Sequence, residues 1–133
     1  MVPGPHSRHG LVGAQLLHLL HSPARRAGLS VTLEFNVGEP NDFRVPDMGY
    51  HQGRPDAVYL PTAAIVVEVA APGDESWLKF DFYAAHQVDE VVIVDPDTET
   101  IHWFALGADG YLAVDRSEVL DLEVATVSEA MDW

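Results

Sequence analysis

Cysteine is absent from this chain of 133 residues, lysine occurs once, and no long apolar run is present. A chain without cysteine forms neither disulfides nor thiolate metal sites. Since no stretch of about 18 apolar residues occurs, we expect no membrane-spanning helix. The first residues, MVPGPHSRHG, lack the apolar core of a signal peptide, so we expect a cytoplasmic protein.

Basic residues are also scarce. Lys and Arg together number 7, against 21 Asp and Glu, which gives a formal net charge of −14. Such a charge repels phosphate backbones at long range and argues against a protein that coats nucleic acid. It does not exclude an enzyme that contacts nucleic acid through metal ions and a local basic patch. Most of the acids are expected to be solvated surface groups.

Several enzyme signatures are missing as well. The chain has no Gly-rich phosphate loop, no nucleophile elbow and no His-x-x-x-His zinc pattern. His18 and His21 have a spacing that suits a metal pair but no third ligand, and we expect both to be exposed or capping. His51, His86 and His102 are scattered over different predicted elements, and we expect structural roles for them.

The apolar share of 47% is enough for one globular domain over residues 1–133. Helical spacing of apolar residues predicts a helix from Arg8 to His21, capped by Ser7 and ended by Ser22-Pro23. Strict alternation predicts a half-buried strand from Leu29 to Val37. Its apolar face would hold every second residue, Val31, Leu33, Phe35 and Val37, and Glu34 would point to the other face.

The most informative stretch begins at Ala63. Ile65, Val66 and Val67 predict a central strand buried on both faces, and Glu68 follows directly. A carboxylate at that position loses hydration unless a cation or hydrogen-bond donors meet it. We therefore expect Glu68 to have such partners.

A helix is predicted next, from about Asp74 to His86, after Pro72-Gly73 has ended the strand. Lys79, the single lysine, and Tyr83 are four residues apart and therefore share a helix face. Two apolar rows on this helix predict that at least two of its aromatic residues are mostly buried: Trp77, Phe80 and Phe82.

The rest of the chain predicts further strands. Val91–Val94 follows the helix, so it and the central strand form a crossover unit. Thr100–Leu106 is the predicted hairpin partner of Val91–Val94, and Tyr111–Asp115 is the next strand. The tail predicts a short strand and a helical turn. This order of elements predicts an α/β fold with a mixed β-sheet.

Asp47, Glu68 and Lys79 form the candidate site. Asp47 follows Pro46, where a strand is bent, Glu68 lies in the central strand, and Lys79 lies on the next helix. Carboxylate oxygens suit Mg²⁺, and an ammonium group stabilises charge on a phosphate. Two carboxylates and a lysine are what metal-assisted phosphodiester cleavage needs, although the same spacing also fits an incidental ion pair.

The order of these residues resembles a known family. Two segments carry the resemblance, DFRVPDMGY and AAIVVEVAAPGDESWLKFDFYAAHQVDEVVIVDP. They closely resemble the Uma-two family of restriction-endonuclease-type proteins, within the PD-(D/E)XK nuclease superfamily, and the resemblance covers nearly the whole chain. It implies a restriction-endonuclease-like mixed β-sheet flanked by helices.

By position, the resemblance implies that Asp47 is the superfamily's first acid and Glu68 its second, both binding Mg²⁺ or Mn²⁺. Ala70 stands where the superfamily's usual lysine would be. The resemblance implies that the lysine has moved onto the following helix, where Lys79 matches it. Two secondary candidates belong to matched segments: Glu34, at a position that is often acidic in the family, and Tyr83.

Two functions remain open. The first is a Mg²⁺-dependent endonuclease acting on nucleic acid, with DNA as the expected substrate and a homodimer as the form that cuts two strands. The second is a catalytically inactive nuclease-fold module for binding or interaction. We expect the family's N-terminal helix and hairpin to be missing here. That expectation and the charge of −14 favour the second function, whereas the intact set of two acids and a lysine favours the first.

Overall fold

The computed structural model describes residues 1, 3–4, 6–71 and 76–133. Its elements are α1 Ser7–Arg26, β1 Leu29–Leu33, β2 Asn36–Glu39, β3 Asp42–Arg44, β4 Met48–Gln52, β5 Tyr59–Leu60, β6 Ile65–Val69, a 3₁₀ turn Ser76–Lys79, α2 Phe80–Ala85, β7 Glu90–Asp95, β8 Thr100–Gly107, β9 Gly110–Val114, β10 Arg116–Ser117, β11 Leu122–Glu123 and α3 Val124–Ala130. Among the described helices, none combines the length and the hydropathy needed to cross a membrane.

The larger sheet has six strands in the order β1-β4-β6-β7-β8-β9. β6 and β7 pair in parallel, and the other neighbours pair antiparallel. A parallel pair needs a crossover connection, which the segment containing α2 provides. β3, β2 and β5 form a second sheet of three strands, called the small sheet below. The predicted α/β fold with a mixed sheet is confirmed, as are the strands that follow the crossover.

Both faces of the larger sheet are covered, which explains why its central strands are continuous apolar runs. On one face, Val67 lies in a core cluster with residues of α1 and α3. On the other face, Val66 packs in a second cluster with Tyr83 of α2 and Val37 of the small sheet. Because side chains alternate along a strand, Glu68 points to the α2 face.

The first helix is longer than the sequence predicts. α1 continues through Pro23 to Arg26, although a proline in a helix interior removes one backbone hydrogen bond. Pro23 and Ala24 are buried, so packing against the sheet stabilises this last turn. The predicted serine cap is also wrong, since His6 caps the helix and its Nδ1 accepts a hydrogen bond from Arg8 N at 3.1 Å.

The alternating stretch from Leu29 to Val37 is two strands rather than one. β1 ends at Leu33, and β2 begins at Asn36 in the small sheet. Val31 and Leu33 are 37% and 62% exposed, because β1 is the edge strand of the larger sheet in the described part of the chain. Alternation predicts a strand but does not reveal a chain that changes sheets.

The predicted helix from Asp74 to His86 is described only in part, since residues 72–75 and the side chain of Trp77 lie outside the described residues. A 3₁₀ turn precedes α2. Phe80 and Phe82 are partly buried and pack against the second core cluster, in line with the prediction. The fully buried side chain of α2 is Tyr83.

Gly38 allows the small sheet to pack closely against α2. Its φ is +121°, and a Cβ at this position would lie 3.0 Å from Cζ of Phe82. A side chain at Gly38 would therefore be strained and would push α2 away. The close approach brings β3, and with it Arg44, next to α2.

Candidate functional site

Asp47 and Glu68 lie at the same end of the β4–β6 pair. The antiparallel register ends with Met48 opposite Val67, and Asp47 directly precedes β4 while Glu68 follows Val67 in β6. Burial, and to a lesser extent the charge of Asp47, raises the pKa of Glu68, which agrees with this proximity.

Glu68 is 3% exposed, and its carboxylate has two partners. Tyr83 Oη donates a hydrogen bond to Oε1 at 2.7 Å. Lys79 Nζ lies 3.4 Å from both Oε1 and Oε2. The prediction that a cation or hydrogen-bond donors meet this buried carboxylate is therefore confirmed.

Both partners come from the segment after β6. Lys79 ends the 3₁₀ turn and Tyr83 lies one helical turn later, so the two side chains face the same strand. Tyr83 has no exposed surface, whereas the side chain of Lys79 is 28% exposed. Tyr83 is thus a fixed donor inside the protein, whereas Lys79 is a partner of Glu68 that solvent can reach.

Burial governs the protonation of this group of side chains. Desolvation raises the pKa of Glu68, and the Tyr83 hydrogen bond and the Lys79 charge only partly oppose it. Desolvation, followed by the charge of Glu68, also raises the pKa of Tyr83 above its ordinary value. Tyr83 therefore stays a neutral donor, and a further cation beside Glu68 would stabilise the ionised carboxylate.

Asp47 lies between β6 and α1. Its Oδ2 accepts a hydrogen bond from Val69 N at 2.8 Å, which fixes the carboxylate. Its Oδ1 lies 3.4 Å from His9 Nε2, and the side chains of Asp47 and His9 are 30% and 24% exposed. One oxygen is therefore held by the backbone, and the other lies at the surface beside an imidazole.

A cleft of about 320 Å³ adjoins Asp47 on the α1 side of the sheet. Glu34, on the loop after β1, lines this cleft together with His9 and Val69. The structure thus brings Glu68, Lys79 and Tyr83 together on the α2 side and places Glu34 on the α1 side. Asp47 belongs to both groups, since it lines the cleft and its charge also acts on Glu68.

Two carboxylates at this position fit an open site for a hard divalent cation. Mg²⁺ is commonly held by one or two protein carboxylates, with water and substrate phosphate completing its coordination. Asp47 Oδ1 and the Glu68 carboxylate supply such oxygens. Within the described residues, no three His, Asp or Glu side chains converge as metal ligands, so the donor set does not fit a closed structural metal site.

Two residues at the site carry no signal in the sequence pattern. His9 approaches Asp47 from α1, and Arg44 lies over the ring of Phe82, which directly precedes Tyr83. Arg44 belongs to the segment DFRVPDMGY, which would have been the place to look for it. For His9, helical spacing predicts its helix but not its neighbour, because that contact depends on how α1 packs.

Comparisons with known proteins bear on the fold and on the family. A search of curated protein sequences found no match. The fold is similar to that of a solved Anabaena variabilis ATCC 29413 protein described as "a putative nuclease belonging to DUF820", with a TM-score of 0.73 and 13% identity over 96% of this chain and 84% of that chain. The predicted restriction-endonuclease-like fold class is therefore confirmed.

A family model also matches this sequence. The model, described as "Uma2: Putative restriction endonuclease", covers residues 1–131. This match confirms the resemblance carried by the segments around Asp47 and Glu68. The chain therefore belongs to the Uma2 (Uma-two) family of putative restriction endonucleases.

Proposed function

We propose that this protein is an endonuclease that hydrolyses phosphodiester bonds in nucleic acid with the help of Mg²⁺ or Mn²⁺, and that its substrate is DNA. One observation carries the proposal. Asp47, directly before β4, is near enough for its charge to raise the pKa of Glu68 in β6, and the Lys79 ammonium lies 3.4 Å from both oxygens of Glu68. Membership of a family described as restriction endonucleases supports DNA as the substrate class.

The two carboxylates are held in place by groups that do not take part in metal binding. Val69 N–H fixes Asp47, and the Tyr83 hydroxyl fixes Glu68. Side chains fixed in this way lose little freedom when they bind a ligand, and this lowers the cost of binding. Asp47 and Glu68 would hold the metal ion, which, when bound, stabilises negative charge on the phosphate and lowers the pKa of a bound water.

Lys79 is placed to act on the phosphate. Its two contacts with Glu68, both 3.4 Å, are longer than the roughly 2.7–2.9 Å of a strong charge-assisted hydrogen bond. The ammonium is therefore free to donate to a non-bridging phosphate oxygen while it still offsets the charge of Glu68. Because the chain has no other lysine, no second ammonium side chain can replace it.

A homodimer is the form that we propose for cleavage of a duplex. One site hydrolyses one strand, so two copies are needed for a double-strand break. A protein that stays monomeric by light scattering in the presence of DNA and still makes double-strand breaks would contradict this part of the proposal.

The alternative function is a binding module that has kept the fold without turnover. The charge of −14 and the lack of a third converging metal ligand in the described residues favour it. Such a module would bind nucleic acid or another partner and would leave phosphodiester bonds intact with every metal ion.

The test is a cleavage assay on plasmid DNA with Mg²⁺, with Mn²⁺ and with a chelator. We expect metal-dependent cleavage by the wild type and its loss in Asp47→Asn and Glu68→Gln. Glu90→Gln is the matched control, because Glu90 is an equally buried acid on the neighbouring strand and does not contact Asp47, Lys79 or Tyr83. Cleavage that persists unchanged in Glu68→Gln would contradict the proposal, and binding without cleavage by the wild type would favour the module.

A further inference from the structure

Arg44 is held beside the site by contacts that leave most of its donors unused. Its Cζ lies 4.3 Å from the centroid of the Phe82 ring. Its Nη1 donates to Asp42 Oδ1 at 3.2 Å and to Phe43 O at 2.9 Å. In the part of the chain that the structure describes, Nη2 and Nε have no acceptor. The side chain of Arg44 is 40% exposed, so these donors can reach a ligand from solvent.

Arg44 lies on the same side of the larger sheet as Glu68. The ring of Phe82, over which Arg44 lies, is 6.0 Å from the ring of Tyr83, and Tyr83 donates to Glu68. Burial and then the charge of Glu68 raise the pKa of Tyr83, and the positive charge of Arg44 opposes them. The guanidinium is therefore close enough to act on the buried pair.

The ion pair with Asp42 does not prevent Arg44 from binding a ligand. The side chain of Asp42 is 70% exposed, and exposed ion pairs contribute little free energy. A phosphate group can therefore replace Asp42 as the partner of Nη1, and at the same time use the donors that have no acceptor.

Cations near the site matter because the protein as a whole is strongly acidic. With a net charge of −14, a phosphate backbone approaches against repulsion unless local positive groups meet it. Of the seven basic residues, Arg8 and Arg116 form ion pairs with acidic side chains, and Lys79 pairs with Glu68. Arg44 adds a second positive group on the α2 side.

We infer that Arg44 binds a phosphate group of the nucleic-acid strand that lies across Glu68 and Lys79. This inference rests on the proposed function and names part of its substrate-binding surface. The planar guanidinium matches two phosphate oxygens, and its stacking on Phe82 fixes its orientation before the strand arrives. Arg44 is thus a substrate-binding residue, while Lys79 acts at the scissile phosphate.

The test measures the binding of a short fluorescently labelled DNA duplex by anisotropy, over a range of salt concentrations. All variants carry Glu68→Gln, so that the duplex is not cut. Arg44→Met removes the charge and keeps a side chain that packs on Phe82, and Arg44→Lys keeps the charge without the planar fork. The matched control is Arg54→Met, which removes an exposed arginine beside Ala63 and Ala64, at the other end of β6.

We expect Arg44→Met to weaken binding about 10- to 100-fold, the range for losing hydrogen bonds to a charged group. The slope of log affinity against log salt should fall by about one unit. Arg44→Lys should keep that slope and still bind more weakly than Arg44, because an ammonium cannot contact two oxygens in the same way. Arg54→Met should bind like the parent.

Equal weakening by Arg44→Met and Arg54→Met would show a general charge effect and overturn the inference. Unchanged affinity in Arg44→Lys would overturn it as well, and this variant decides the matter if thermal melting shows that Arg44→Met does not fold. The proposed function is judged separately. Cleavage that depends on Glu68, with binding that does not depend on Arg44, contradicts the inference alone. Binding that depends on Arg44, in a protein that cuts nothing, contradicts the endonuclease alone.

Discussion

Glu68 and Glu90 are two buried acids on neighbouring parallel strands, and their partners differ. They are 3% and 2% exposed. Glu90 Oε1 accepts hydrogen bonds from Trp103 Nε1 at 2.9 Å and Ser117 Oγ at 2.6 Å, and its Oε2 accepts from Val119 N at 3.2 Å. All three donors are neutral: Trp103 and Ser117 lie in strands, and Val119 lies in the turn after β10.

Among the described residues, Glu68 accepts one short hydrogen bond, from Tyr83, and otherwise has only the long contacts with Lys79. A carboxylate has about four acceptor sites, so one that already meets three fixed donors has little capacity left for a metal ion or a substrate. A carboxylate that meets one partly exposed cation retains that capacity. Burial alone therefore does not distinguish a candidate site acid in this fold, whereas incomplete satisfaction beside an exposed cation marks Glu68 as the candidate.

Removing the cation beside Glu68 should have the largest effect on function. We expect Lys79→Met to lower kcat for DNA cleavage about 100- to 1000-fold, as for the loss of one group that stabilises transition-state charge. Trp103→Phe, which removes a donor from Glu90, should leave kcat unchanged at a temperature where it is folded. Steady-state cleavage kinetics check both variants, and equal losses in kcat would remove the distinction between the two acids.

A divalent metal ion should also separate the two acids. An ion held by Asp47 and Glu68 would bind only the folded protein, so we expect Mg²⁺ or Mn²⁺ at a hundred times the dissociation constant to add about 2.7 kcal/mol to the free energy of unfolding. The rise in Tm should disappear in Asp47→Asn and Glu68→Gln and persist in Glu90→Gln. If all of these variants showed the same rise as the wild type, general screening of the acidic surface would explain it.

The surroundings of Glu90 should respond in stability rather than in function. Ser117 Oγ donates to Glu90 and accepts from Leu120 N at 3.0 Å, so Ser117→Ala leaves two buried groups short of a partner. We expect a loss of about 1–3 kcal/mol in the free energy of unfolding. Urea denaturation measures it. A near-neutral result would mean that water or a rearranged neighbour replaces the hydroxyl.

Local spacing in the sequence was sufficient to predict the central strand and the helix face that Lys79 and Tyr83 share. Such features depend on residues that are close in the chain, so periodicity predicts them directly. The need of Glu68 for a partner also followed from its place in an apolar run. The metal-binding and catalytic roles of Asp47, Glu68 and Lys79 stay predictions.

Contacts between distant elements could not be predicted in the same way. The alternating pattern continues through Glu34 and Phe35, where the chain changes sheets. In the sequence, Glu90 stands just before the apolar run Val91–Val94, a position where an acid is often exposed. Its burial could not be predicted, because the partners that bury it lie 13 to 29 residues later in the chain. The positions of His9 and Arg44 depend on the packing of α1 and of the small sheet, which no local pattern encodes.

His51 extends the comparison to a buried base, and here we expect the smallest effect. It is 4% exposed, its Nε2 lies 2.7 Å from Thr32 Oγ1, and its ring meets Phe35 edge-on at 4.7 Å. Like Glu90, it has a neutral partner, and burial lowers its pKa below the ordinary value.

The lowered pKa of His51 fixes the sign of a pH effect. In the unfolded chain, this histidine takes up a proton at about pH 6.5, while the folded protein resists protonation. Its contribution to stability is therefore complete above that pH and is lost as the pH falls from there towards the folded pKa, by at most about 1.4 kcal/mol per pH unit. As the pH falls through this window, His51→Gln should therefore become more stable relative to the wild type. Urea denaturation at several pH values measures this stability difference. The exposed His18→Gln is the matched control, and identical pH profiles for the two variants would show that burial of His51 behind Thr32 does not set its protonation.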